Sequence, residues 1–404
     1  MGSMIVLHET GERQGGGSRL RTPRLTQLIW ETTRLCDQRC GHCVNSSGRA
    51  APNELDEATA RDMCDQIVQL KVRDVQLTGG EAYLRPDIFD RVAQLTAGGV
   101  RVTAQTGGKN LTPDRVKRYK EAGLRLLGVS VDGMENEHNL QRGSPDSYRR
   151  ALEAVRLVSQ SGMASSVNTQ ANTLTLPHLR EVALAVREAG AQAWMVTLTV
   201  PAGRATAHPD WVLQPYQVPE VLAALVKIRQ EILENPLPRE KNTPFRILTG
   251  TNVGYYSPWD LDFRPANTSW WTGIHWGTSS LFVEADGTCR PSTFLPGEKY
   301  RAGNVRDHSI AEMWADSPAL ARMRVRGKED LWGFCGGCYY ADMCLAGDVL
   351  TTEMVMGRPG NNPFCWHRVE ELRRSGQRER LVPSPEGPLT YTLVEEMIPD
   401  VINA

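Results

Sequence analysis

The sequence predicts an α/β fold: an open, partial (β/α)6 TIM-like barrel followed by a small, cysteine-rich α+β unit. Three observations predict it. Six short apolar runs alternate with helix-period stretches between residues 25 and 205, which is the rhythm of parallel β/α units. That rhythm stops after Pro201, where a Pro-rich, aromatic stretch takes over. The nine cysteines gather at two places, three at 36, 40 and 43 and four at 335, 338, 344 and 365, leaving only Cys64 and Cys289 alone.

Taken in order, residues 1–24 are Gly- and Arg-rich without periodicity and are expected to be a flexible lead-in, with Met1-Gly2-Ser3 before Met4 an expression scar. A strand over 25–32 ends just before the first thiol. A helix over 55–70 follows, with Leu55, Ala58, Met63, Ile67 and Leu70 at helical spacing. Cys64 falls inside it and is expected to be a small core residue. Strands over 75–78, 100–106, 124–131, 164–169 and 194–199 then alternate with helices over 86–97, 113–122, 147–162 and 176–189. Six strands fall short of the eight that close a barrel, so the barrel is expected to be open, with its chemistry at the C-terminal strand ends.

The region 206–275 is expected to bridge two domains. It contains a helix over 218–234 and the aromatics Tyr255, Tyr256, Trp259, Trp270 and Trp271, read either as packing between domains or as a wall of the substrate cavity. A second domain is expected over 276–375. It opens with a hairpin turning at Asp286-Gly287, has a helix over 309–314, and leaves 376–404 as a C-terminal tail.

A chain of 404 residues has room for one large domain and a smaller one. With 46 basic and 47 acidic residues the net charge is −1, so no nucleic-acid or anionic-membrane partner is expected. No apolar run reaches membrane-spanning length. Residues 1–17 lack the apolar core of a signal peptide, so a cytoplasmic location is expected. Nine cysteines there point to metal or redox chemistry before disulfides.

The first group reads Cys36-Asp-Gln-Arg-Cys40-Gly-His42-Cys43. Three thiolates on a tight loop can wrap three corners of a cubane iron-sulfur cluster and leave the fourth iron open to a small molecule. Zinc is the alternative, although it favours four ligands in paired spacing. The spacing at the end of a first strand resembles the radical S-adenosylmethionine (SAM) family. That resemblance implies that the open iron chelates the amino and carboxylate groups of SAM, and that an electron from the cluster cleaves SAM to a 5′-deoxyadenosyl radical. Further motifs sit at later strand ends. Thr78-Gly79-Gly80-Glu81 lies at a strand end where Gly79 and Gly80 let the backbone approach a ligand, and it matches the family's Gly-Gly-Glu segment, which implies a contact from Glu81 to the SAM ammonium. Ser130-Val-Asp132-Gly133 and His138-Asn-Leu-Gln-Arg142-Gly143 resemble segments holding the ribose and the methionine carboxylate, which nominates Ser130, Asp132 and Arg142. Asn168, ending the fifth strand, and His42 complete the candidates for cofactor contact.

Cys335-Gly-Gly-Cys338, Cys344 and Cys365 offer four thiols, enough to coordinate a second cluster with no open iron, or a zinc ion. This segment resembles the SPASM domain that follows the radical SAM core in peptide-modifying enzymes. That family usually carries a further, core-proximal cluster. Gly273 or Ile274, Ser292 and Asp348 stand where its ligands belong, so two 4Fe-4S clusters are expected rather than three. Cys289 is open to three readings: an inert core residue, an alternative ligand, or a catalytic thiol donating hydrogen to a substrate radical. The resemblance implies a ribosomally made precursor peptide as substrate, a flavodoxin or ferredoxin as electron donor, and a cross-link as product. Epimerisation through Cys289, a sugar or small-metabolite substrate, and a non-catalytic electron-transfer protein are the alternatives. Residues 1–24 are too few for the leader-binding domain of about a hundred residues that many such enzymes carry.

Overall fold

The structure is a computed structural model describing residues 22–241, 244–250, 253–264, 276–384 and 391–398. The expected lead-in (but for 22–24), Trp270, Trp271, Gly273 and Ile274 lie outside the described residues.

Strands β1 (Gln27–Glu31), β2 (Asp74–Thr78), β3 (Arg101–Thr106), β4 (Leu126–Ser130), β5 (Ala164–Ala171) and β6 (Ala193–Leu198) pair in parallel, each beside the next. Helices α1 (Glu57–Gln69), α2 (Ile88–Ala97), α3 (Pro113–Glu121), α4 (Glu135–Arg142), α5 (Ser147–Ser161) and α6 (Leu179–Glu188) occupy the crossovers. Local chemistry fixes their starts. Asp56 caps α1 by accepting from Thr59 N, and Thr112 caps α3 ahead of a proline in its first turn. α1 buries Ala60, Met63, Cys64 and Ile67, so Cys64 is a core residue. α4, which the sequence shows only as a polar motif, is a helix closed by Gly143 in the left-handed region, φ 61°. After β6 the helix α7 (Val218–Glu234) forms where its periodicity places it.

Among the described residues the sheet has ten strands rather than six. β7 (Arg246–Thr249) adds in parallel to β6, and β8 (Ser280–Val283) adds in parallel to β1. β9 (Thr288–Arg290) and β10 (Gly303–Asn304) continue antiparallel beyond β8. The hairpin at Asp286-Gly287 therefore pairs with the barrel edge. The cause lies in the strand itself: all four residues of β8 are buried, as a strand covered on both faces requires, and they meet the otherwise unpaired edge of β1.

Residues 376–404 also differ from a plain tail. β11 (Gln377–Pro383) and β12 (Tyr391–Met397) form an antiparallel hairpin. A buried ion pair from Glu379 to Arg368, on the helix Trp366–Arg374, anchors it. The main core runs through the barrel, with Trp30, Trp194 and Phe263 among its largest fully buried side chains. Among the described residues no helix is long and apolar enough to cross a membrane.

Candidate metal and cofactor site

The first cysteine loop leaves β1 and is held before any ligand is considered. Glu54 accepts from Arg34 N (2.7 Å), Ala51 N (2.8 Å) and Thr33 Oγ1 (2.8 Å). Gly41 N donates to Gln141 O at the end of α4. The Gly79-Gly80 pair, expected to admit a ligand, answers first to its own backbone neighbours. A Cβ at Gly79 would stand 2.4 Å from Thr33 O, and one at Gly80 2.0 Å from Leu35 O. Only glycine lets the end of β2 run this close beneath the cysteine loop.

Above these strand ends lies a cleft of about 200 Å³, open to solvent. Cys36, Cys40, Cys43, His42, Gly79, Gly80, Glu81, Ser130 and Arg142 all line it. Asp132 and Asn168 do not. Asp132 is buried beneath, with Oδ2 bound to Arg142 and 3.1 Å from His42 Nε2, and Oδ1 accepting from Gln170 N at 2.8 Å. Burial pushes its carboxyl up, but the Arg142 guanidinium and His42 outweigh this and hold it well below the carboxylate range. It orients Arg142 rather than meeting a ligand. Asn168 misses the cleft because β5 runs to Ala171, past the expected end at 169. Gln170, on the same face and nearer the strand's C-terminal end, takes the place in the cleft.

Glu81 is buried and accepts from Thr106 Oγ1 and Gly107 N, both at 2.5 Å. Burial pushes its carboxyl up to about 8, so an ammonium placed beside it would draw its proton away and form an ion pair. Arg142 donates toward Cys40 Sγ at 3.7 Å. His138 Nδ1 accepts from Asp132 N (3.0 Å) and its Nε2 faces Ser147 Oγ (2.9 Å). Burial holds it down to about 3, so it is neutral and structural.

The thiols fit an iron-sulfur cluster. Burial pushes Cys36 up to about 12 and raises Cys40 as well, a cost that ligation to cationic iron removes. Among the described residues no three of these thiols lie mutually within 4.8 Å. A tetrahedral zinc with Zn–S of about 2.3 Å would hold its sulfurs under ~4 Å apart.

Sequence reasoning missed several cleft residues. Asn45 accepts from Cys43 Sγ (2.8 Å) and donates to Glu31 Oε1 (2.6 Å). Arg204 lay in view within Pro201-Ala-Gly203-Arg204 but carried no pattern. Phe294 enters from beyond the hairpin with a left-handed backbone, φ 58°, and nothing local in the sequence announces it.

Cys335, Cys338, Cys344 and Cys365 surround a second, narrow cavity of about 20 Å³. Asn362 N donates to Cys335 Sγ and Tyr340 N to Cys338 Sγ, both at 3.4 Å. Burial pushes Cys365 up to about 12. Tyr255 and Tyr256 wall this cavity, with Tyr256 stacked on Tyr340 at 4.0 Å, so they serve the four thiols rather than the substrate cleft. At the positions of the missing cluster, Ser292 is buried. Asp348 caps the helix Val349–Met356 and accepts from Trp276 Nε1 (2.9 Å) and Thr351 Oγ1 (2.8 Å). A satellite core of Leu295, Tyr300, Met323 and Val349 packs alongside.

Cys289 sits on β9, fully buried, its sulfur 3.8 Å from Gly287 O. It lines neither cavity. The donor and ligand readings therefore lose their geometry, and with them the epimerisation route through this thiol.

Residues 30–189 match the Radical SAM superfamily, and residues 275–339 match SPASM, an iron-sulfur cluster-binding domain. The chain is 28% identical over 359 residues to an AdoMet-dependent heme synthase of Methanosarcina barkeri, covering 86% of this chain and 97% of that protein. It is 26% identical over 367 residues to the mycofactocin maturase MftC of Mycobacterium tuberculosis, covering 89% and 86%. Its fold is like that of Streptococcus suis SuiB bound to precursor peptide SuiA, with a TM-score of 0.62 and 14% identity over 85% of this chain and 75% of that one.

Proposed function

From the premise that the chain is a radical SAM enzyme with a C-terminal SPASM iron-sulfur domain, we propose that it removes hydrogen from an unactivated carbon of a ribosomally made precursor peptide, forming a cross-link. The observation that carries this reading is the convergence of three buried or half-buried thiols, the Glu81 carboxyl and the Arg142 guanidinium on one open cleft. Cys36, Cys40 and Cys43 would hold the catalytic 4Fe-4S cluster, and Cys335, Cys338, Cys344 and Cys365 a second one. When bound, the catalytic cluster and SAM supply the 5′-deoxyadenosyl radical that takes the hydrogen atom. Glu81 receives the SAM ammonium, and Arg142, fixed by Asp132, receives the carboxylate together with Ser130. Gln170 and Phe294 stand beside them as substrate-side walls. Because the cleft is open to solvent and lined by barrel residues together with Phe294, it suits an extended chain. A maturase among the relatives and a precursor-peptide complex among the structures of like fold support that substrate. A flavodoxin or ferredoxin is the proposed electron source.

A second reading, action on a heme precursor, is favoured by the heme synthase that matches over nearly its whole length. Anaerobic turnover with SAM and a strong reductant separates the two. If the peptide reading holds, a short peptide encoded beside this gene raises 5′-deoxyadenosine formation and loses two hydrogens by mass spectrometry. Stimulation by an iron porphyrin bearing propionates, with the peptide unchanged, would replace it with the second reading.

A further inference from the structure

The segment that follows β6, Pro201-Ala-Gly203-Arg204, grips the cysteine loop from the far side of the barrel. Arg204 Nε donates to Cys40 O (2.7 Å), its NH1 to Ser47 O (2.8 Å) and its backbone N to Cys43 O (3.0 Å). Gly203 adopts φ 57°, and a Cβ there would lie 2.2 Å from Val44 O, so the two backbones are in contact. Two arginines thus approach this loop, but their charges differ in effect. Arg142 is neutralised by Asp132, whereas Arg204 forms no ion pair among the described residues and donates only to neutral carbonyls. Arg204 is half-buried and lines the cleft, where a charge is screened less than at the surface.

We propose that Arg204 is a positioning residue that also sets the reduction potential at the three-cysteine cluster. Its guanidinium draws the carbonyl oxygens of Cys40 and Ser47 toward itself, fixing the direction in which the thiols project. Its uncompensated positive charge stabilises the cluster's more negative, reduced state. Loss of the charge therefore makes the cluster harder to reduce, and a cation of another shape restores it. This inference rests on Cys36, Cys40 and Cys43 being the cluster ligands. Should that be wrong, the wild-type protein shows no SAM-responsive cluster signal at all, an outcome distinct from failure of the Arg204 proposal.

The test is an anaerobic redox titration of reconstituted protein, following the electron paramagnetic resonance signal that changes when SAM is added. In Arg204→Gln, the reduced-to-oxidised ratio at the wild-type midpoint is expected to fall by on the order of ten-fold. In Arg204→Lys the ratio stays near that of wild type. A fully loaded Arg204→Gln with an unchanged midpoint would overturn the proposal. If Arg204→Gln does not take up iron, loading is the readout: rescue by Arg204→Lys with the wild-type midpoint supports the charge, and failure of Arg204→Lys to load overturns it.

Discussion

At the scale of single residues, burial decides which groups react. Cys289 is fully enclosed, and desolvation pushes its thiol far above the ordinary range, so it lacks both the access and the thiolate character that reactivity needs. Folded protein is expected to leave Cys289 unmodified by iodoacetamide, and Cys289→Ala to retain SAM cleavage within about two-fold. Rapid labelling, or an uncoupled variant, would restore a role for it. His138 gives a pH prediction with a definite sign. Its folded pKa of about 3 lies below the 6.5 of an ordinary histidine, because the buried ring is kept neutral between Asp132 N and Ser147 Oγ. The stability this contributes is complete above pH 6.5 and is lost as pH falls from 6.5 toward 3. Between pH 6.5 and 5 the loss is about 2 kcal/mol. Denaturant unfolding should show this loss in the wild type and a visibly flatter dependence in His138→Gln. Identical slopes would remove His138 as the cause.

Among the elements, the β11–β12 hairpin serves the second thiol group from a distance. Glu379 on β11 pairs with Arg368, which also donates to Asn361 Oδ1 (2.6 Å) and Asn362 O (3.1 Å), and Asn362 N donates to Cys335 Sγ. Removing one partner of a buried pair typically costs about 3–5 kcal/mol. Glu379→Ala is therefore expected to lower the unfolding midpoint and speed iron loss from the four-thiol site, while SAM binding at the barrel persists. An unchanged midpoint would mean that the hairpin is merely attached. What was legible in the sequence divides along this line. The parallel strands and, α4 excepted, the helices of residues 25–199 were readable to within a few residues because each is fixed by its own periodicity and caps, as at Asp56 and Thr112. Edge pairings were not readable, since β8 joins β1 across some 250 residues by a contact that no local signal encodes. The extra two residues of β5 moved the inward-facing cleft position from Asn168 to Gln170 for the same reason: strand length was settled by pairing with β6.

For the whole molecule, the fold brings two thiol groups into one body and gives them different surroundings. The first group opens into a cleft with Glu81 and Arg142, and the second is enclosed by Tyr255, Tyr256, Phe334 and Tyr340. The cysteine spacings made both groups visible in the sequence, whereas Arg204, Asn45 and Phe294 could be assigned only once the chain had closed around the cleft. At the missing third site, Asp348 is committed to a helix cap and an indole hydrogen bond. Iron and sulfide analysis after anaerobic reconstitution is therefore expected to give about eight irons per chain, and a value near twelve would show that a third cluster forms. The most direct test of the central claim, that the Cys36–Cys43 cleft reductively cleaves SAM, is the yield of 5′-deoxyadenosine from reconstituted protein, SAM and dithionite without oxygen. Wild type should produce it, Cys40→Ala should produce none, and Glu81→Gln should need at least ten-fold more SAM. A wild-type protein that carries its clusters yet yields no 5′-deoxyadenosine would contradict the claim.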